Sequence, residues 1–465
     1  MTAGQQSKHP LDPLTTEEIR AVSTIIRKER PNEIFVFSSI SLKEPPKDRM
    51  MAFLGWDTSR PKPESIEREA LAIVMDRPSG LVHEMTVSLT QAKIADWKRM
   101  EGMQPTIHVM EMLEAESVMI KDERVIEECR NLGITDMKKV FIDAWGVGYH
   151  EIKDKRLMQG LVYYRNSPDD NQYAHPLDIF PLYSVNEMKV LDVIVAKRRN
   201  NKFERPTIPM EDHQYLPEQL GEDKLRKDIK PIEITQPEGV SFQINGHELS
   251  WQKWNLHISF NYREGIVLSN ISYKDMDGIV RPLFYRVSLA EMVVPYANPY
   301  KPYNHKMAFD VGEYGLGNLT NPLELGCDCV GSIYYMDGVL SDLKGEPWVI
   351  PNAICIHEED NGLLFKHADF RTNKAHSVRS RRLVISHTVT PANYDYGMYY
   401  YFYQDGTFQY EVKATARRIP RVHMLNQILP VAALTLENHL LDIATLPPII
   451  PLVYMGNIYS IHPNK

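Results

Sequence analysis

Trp254-Asn255-Leu256-His257-Ile258-Ser259-Phe260-Asn261 places four large apolar residues at every second position, with polar residues between them. Side chains alternate across a strand, so Trp254, Leu256, Ile258 and Phe260 read as the inward face of a half-buried β-strand. Just upstream, Asn245-Gly246 is a hairpin signal, because both residue types tolerate the positive φ that a tight turn needs. Asp277-Gly278 and Asp405-Gly406 repeat it. The stretch 238–415 therefore reads as all-β, a sandwich or barrel of short strands. Beyond it the pattern breaks. Gln427 to Leu436 has no clean period, and Pro447, Pro448 and Pro451 interrupt the next apolar run, which sets 416–465 apart as a divergent tail.

Upstream the periodicity is mixed. After an N-terminal tail (1–13), Thr15-x-x-Glu18 is a capping box, followed at helical spacing by Ile19, Val22 and Ile26. Leu71 to Met75 and Val82 to Leu89 flank the turn Pro78-Ser79-Gly80 as a hairpin, and 91–100 reads as helix again. A second unit resembles the first: Met112, Ala115 and Met119 share a helical face, a second helix ends near Gly133, and three strand-like runs follow. The expectation is an α+β chain with small α+β (cystatin-like) domains at 14–105 and 106–200. A Pro-rich linker (201–237) with Pro206, Pro209, Pro217, Pro231 and Pro237 leads to the large β domain.

Composition narrows the function classes. Against 53 basic side chains stand 61 acidic ones, a net charge of −8, which argues against nucleic-acid binding. No apolar run approaches the ~20 residues of a membrane span. The start carries no signal-peptide pattern, so a cytoplasmic or peroxisomal location is expected over secretion. Four cysteines exclude a disulfide scaffold; Cys327, Cys329 and Cys355 lie close in sequence and are open to a redox pair, a metal site or one bridge plus a spare.

Taken alone, the polar clusters are ambiguous. Tyr394, in Asn393-Tyr394-Asp395-Tyr396-Gly397 between two strand-like runs, reads first as a packing residue. Asp310 and Glu313, among Gly312, Gly315 and Gly317, fit a turn or the wall of a cleft. His357-Glu358-Glu359-Asp360 lacks the second histidine of a helical zinc motif. The basic run Arg379 to Arg382 reads as a solvated turn.

Together, five blocks are more specific. Glu291-Met-Val-Val-Pro-Tyr296, the run from Ala308 to Gly315, Leu325 to Gly331 with Cys327-Asp328-Cys329, Cys355 to Asp360, and Asn393-Tyr394-Asp395-Tyr396 resemble, in order and spacing, the copper- and topaquinone-dependent primary amine oxidases. The resemblance implies two small α+β domains before a large β-sandwich. It also implies oxidative deamination of primary amines by O2, giving aldehyde, ammonia and hydrogen peroxide. Tyr394 would be the topaquinone precursor that forms a Schiff base with the amine, and Asp310 the acceptor of the α-proton. Tyr296 and Asn393 would orient the quinone. Phe309, Val311, Gly312, Glu313, Tyr314, Gly315, Leu316, Asp395 and Tyr396 would line the amine site. Cys329 and Cys355 would form the family's disulfide, leaving Cys129 and Cys327 as buried thiols, and the family pattern is a homodimer.

The resemblance stops at Thr415. The family's copper needs three histidines, two of them as His-x-His, and the matching positions here are Ile443 and Thr445. His423, His439 and His462 show no metal spacing, so no metal ligand is assigned in this chain and the edges of the sandwich are expected to be left poorly covered. Three readings follow: an amine oxidase with an unrelated tail, an inactive paralogue with a structural or regulatory role, or another enzyme on this scaffold with another metal.

Overall fold

The computed structural model describes residues 9–153, 155–196, 221–294, 300–306 and 309–416, some positions between 205 and 218, and the backbone of 431–438 and 459–461; the side chains of Lys224, Asp310 and Ala416 are not described. None of its described helices is long and apolar enough to cross a membrane.

The N-terminal module begins with α1 (Thr16–Glu29), whose capping box is formed in both directions between Thr15 and Glu18. Ile19, Val22 and Ile26 bury the expected stripe. It lies against an antiparallel sheet of β1 (Phe35–Lys43), β2 (Glu69–Asp76), β3 (Leu81–Ser88) and β4 (Lys93–Met100), with the short α2 (Lys47–Leu54) after β1. The helix expected over 91–100 is strand β4. Its register on β3 shifts between Thr86 and Val87, leaving Ala95 as an extra residue, so Ile94 and Trp97, three apart, both turn inward. A bulge thus imitates helical spacing. Trp97 is fixed by its indole N–H donating to His83 Nδ1 at 2.8 Å.

The second module has α3 (Val109–Met119) and α4 (Glu123–Asn131) on the sheet β5 (Val140–Gly146), β6 (Leu157–Tyr164), β7 (Ile179–Ser184) and β8 (Lys189–Val195). Gly133 follows α4 at φ +87°, the left-handed stop expected there. Of the expected linker, 221–237 holds one 3-10 turn, Glu222–Lys224; the rest lies largely outside the described residues.

Two six-stranded antiparallel sheets make the sandwich. One joins β9 (Phe242–Asn245), β10 (Glu248–Trp251), β11 (Trp254–Asn261), β12 (Gly265–Lys274), β13 (Val280–Val293) and β19 (Val431–Asn438). The other joins β14 (Tyr334–Ser341), β15 (Pro347–Asp369), β16 (Lys374–Val389), β17 (Tyr394–Tyr403), β18 (Phe408–Ala416) and β20 (Tyr459–Ile461). Trp254, Leu256, Ile258 and Phe260 are buried as the alternation requires, packed with Ile354, Ile356, Leu383, Ile385, Tyr400 and Phe402 of the facing sheet. Two expectations change here. The stretch after Thr415 supplies a strand, β19, that pairs along β13, since an open sheet edge templates such pairing. Arg379 to Arg382 is strand, not turn: Arg379 pairs with Asp360 and Arg382 with Glu359 across the β15–β16 ladder, which lets a charged run remain extended.

Candidate active site at one end of the sandwich

Tyr394 is the first residue of β17, half-buried at the margin of the sandwich core, with the Tyr396 ring edge-on at 5.4 Å. Its neighbour Asn393 is buried. The turn before it is held from both sides. Thr390 Oγ1 donates to Asp395 Oδ1 at 2.5 Å and accepts Asn321 Nδ2 at 2.6 Å. Thr390 N–H donates to Leu319 O at 3.0 Å, and Asn321 N–H to Thr388 O at 2.9 Å. The segment carrying Asp310 therefore runs, a few residues on, along the end of β16 beside the Tyr394 turn. Thr390 and Asn321 are positioning residues with no motif of their own, so reading the sequence passed them over.

That segment is pinned by close backbone approach. A Cβ on Gly315 (φ +92°) would sit 2.3 Å from Tyr262 O, and one on Gly317 would sit 2.0 Å from Asn261 O. A Cβ on Gly312 would meet Glu291 Oε1 at 1.8 Å. Glycine is the residue these contacts admit. Val311 and Leu316 are buried in the sandwich core, while Tyr314 is buried in that of the second module, edge-on to Trp145 at 5.6 Å. Glu313 is also buried, its carbonyl accepting Ile107 N–H at 2.8 Å. Of the nine residues expected to line an amine site, Phe309 is the exposed one, at 43%. Asp310 opens a 3-10 turn, Asp310–Glu313, and Tyr296 lies outside the described residues.

The turn on which Gly315 and Gly317 rest is itself locked. Glu264 accepts from Arg286, Ser288 and Asn261, and Arg286 also pairs with Glu44 at 2.8 Å. Burial would raise the Glu264 carboxyl, but Arg286 overrides it and the group is pulled down to about 2. Behind it, His387 on β16 is fully buried beside Gly265, neither ring nitrogen has a partner among the described residues, and burial pushes it down to about 3.

The sulfurs of Cys329 and Cys355 lie 2.6 Å apart, both residues being buried thiols in this structure. The contact with Cys329, with burial, pushes the Cys355 thiol up. Cys129 is buried as expected, whereas Cys327 is exposed because it sits in the turn Gly326–Asp328 rather than on a strand.

A copper ion would need several imidazoles near Tyr394. Ile443, Thr445 and the histidines 423, 439 and 462 lie outside the described residues. Among the described residues, the cluster close enough to share one metal is His9, Asp12 and His257, on the N-terminal segment and β11. His387 is a single imidazole. The described surroundings of Tyr394 therefore do not form a copper donor set.

Three family models match successive parts of the chain: copper amine oxidase N2 domain over 9–100, N3 domain over 110–209, and enzyme domain over 243–419. The chain belongs to the copper amine oxidase family. Copper amine oxidase 1 of Schizosaccharomyces pombe is 43% identical over 420 residues, covering 89% of this chain and 58% of that protein. The peroxisomal primary amine oxidase of Pichia angusta is 42% identical over 408 residues, covering 86% and 58%. The crystal structure of a copper-containing benzylamine oxidase from Hansenula polymorpha superposes with a TM-score of 0.79 at 30% identity, over 88% of this chain and 64% of that one. This amine oxidase chain thus spans 58% of the length of those two curated relatives. Copper and topaquinone are the cofactors the family implies.

Proposed function

We propose that the Tyr394 end of the sandwich oxidises primary amines: amine, O2 and water give aldehyde, ammonia and hydrogen peroxide. The observation that carries this is the Asn393–Tyr396 element at the head of β17, tied through Thr390 and Asn321 to the segment that bears Asp310. A quinone made from Tyr394 would supply the electron sink that no unmodified side chain offers. The chain's own residues do the rest. Asp310 takes the proton from the amine's α-carbon, and works best with a pKa near the operating pH. Asn393 and Tyr296 hold the ring, Asp395 fixes the turn, and the exposed Phe309 meets the substrate. A disulfide between Cys329 and Cys355, whose sulfurs lie 2.6 Å apart, would staple the strand beside the site.

Homodimerisation is the second part of the reading. It is supported by the far end of the β15–β16 hairpin, where Leu363, Leu364, Phe365, Phe370 and Val378 are exposed together. A peroxisomal location is supported by the name of the Pichia angusta relative.

The test joins residues 1–415 to the C-terminal part of the Schizosaccharomyces pombe relative and supplies copper and O2. Aldehyde and peroxide should be released, with a visible quinone band. In this chimaera Asp310→Asn should keep the band and lower turnover by ~10²–10⁴-fold, the range for losing a general base. Turnover untouched by Asp310→Asn would remove Asp310 from the mechanism. A chimaera that loads copper but stays colourless and inactive would favour a structural or regulatory role.

A further inference from the structure

His257 breaks the alternation of β11. Placed among the outward positions, it is nevertheless 1% exposed. Its Nε2 lies 2.9 Å from Asp12 Oδ1, and the His9 ring stacks on it at 4.5 Å between centroids and 29° between planes. A third imidazole, His247, lies 5.9 Å from it. Asp12 also accepts the His9 backbone N–H at 3.0 Å, but neither bond engages the His9 ring.

We propose that His9, Asp12 and His257 bind a divalent transition-metal ion of the zinc class, with solvent filling the fourth position. One donor atom from each of the three lies within 4.8 Å of the others. A tetrahedral zinc site needs donors about 3.3 Å apart, given metal–nitrogen and metal–oxygen bonds of about 2.0–2.2 Å. Small side-chain movements close that gap. His9 Nε2 is buried and meets no partner among the described residues. The other nitrogen of that ring makes a long contact, 3.2 Å, with Leu11 N–H. His247, next to this group, is held in place by its Nδ1 donating to Ile258 O at 3.0 Å. On binding, the ring protons of His9 and His257 move to Nδ1 and the Leu11 contact is given up. The metal takes the place of the proton between His257 and Asp12.

The nearest fixed cation, Arg68, holds the Asp12 and Pro13 carbonyls and is neutralised by Glu18 at 2.6 Å. A cavity of about 430 Å³ lies next to the cluster, lined by Pro13, which follows Asp12, and by His247 and Ser259. A metal here would fasten the N-terminal segment to the sandwich.

The test uses the full chain, stripped with a chelator and titrated with Co²⁺, then Zn²⁺. One equivalent of cobalt should give the intense visible bands of four-coordination, displaced by zinc. His9→Gln and Asp12→Asn, checked for native circular dichroism, should each weaken binding at least about tenfold. A second measurement needs no variant: zinc should shield His9 from carbethoxylation, read by peptide mass. Absent bands, bands equally strong in both variants, or unchanged His9 labelling would overturn the site. The readout is the metal itself, so the result is independent of amine oxidation.

Discussion

The β15–β16 hairpin has two unlike ends. At one, Cys355, Ile385 and His387 are buried, and the neighbouring β17 starts at Tyr394. Backbone closely approaches backbone at Gly315 and Gly317, and the group of buried Glu264 with partly buried Arg286 and Glu44 sits under the same turn. At the other, the ribbon from Asn361 to Arg379 stands largely in solvent, joined by its ladder and by exposed ion pairs such as Arg379–Asp360. One end holds chemistry in a single geometry, which needs every group around it specified. The other carries apolar surface with nothing among the described residues to cover it, as an association surface does.

The locked end should break first. Arg286→Met leaves the Glu264 and Glu44 carboxylates facing each other and should cost roughly 3–5 kcal/mol at pH 7, as breaking buried pairs does. The pH dependence has a definite sign. The Glu264 carboxyl is depressed from 4.5 to about 2, so its contribution is present above pH 4.5 and is lost as pH falls towards 2. The gap between wild type and Arg286→Met should narrow across that window in urea unfolding; a gap independent of pH would contradict the assignment. Next, Gly317→Ala should cost roughly 1–3 kcal/mol, because Asn261 O must move.

His387→Leu should act in the opposite direction. Removing a buried ring whose nitrogens have no hydrogen-bond partner among the described residues should stabilise by about 1 kcal/mol. His387 is depressed from 6.5 to about 3, so the wild type loses stability as pH falls from 6.5 towards 3 and the variant escapes that loss. Equal acid slopes in the two proteins would count against the buried neutral ring. Smallest in stability is the exposed end: Phe365→Ser with Phe370→Ser should change unfolding by less than about 0.5 kcal/mol. The same pair should shift sedimentation towards monomer. An unchanged dimer would move the interface elsewhere.

How legible each part was follows from how local its signal is. The alternation from Trp254 to Phe260, the Asn245-Gly246 turn and the Thr15–Glu18 box depend on residues adjacent in sequence, and all three read correctly. Strand β4 did not, because one bulged residue, Ala95, converts period two into a helix-like three. Arg379 to Arg382 did not, because their partners on β15 are about twenty positions away. Asn393–Tyr396 stood out as a motif, while Thr390 and Asn321, which hold it, are ordinary residues until the fold brings them together. The burial of His257 was invisible for the same reason: Asp12, 245 positions earlier, and His9 reach it from the segment before α1.

The most direct test of the account is the mass of the peptide containing Tyr394. In the copper-loaded chimaera exposed to O2, that peptide should gain two oxygens and lose two hydrogens relative to its sequence, and Tyr394→Phe should abolish both the gain and aldehyde release. Turnover by a chimaera whose Tyr394 remains an unmodified tyrosine would contradict it.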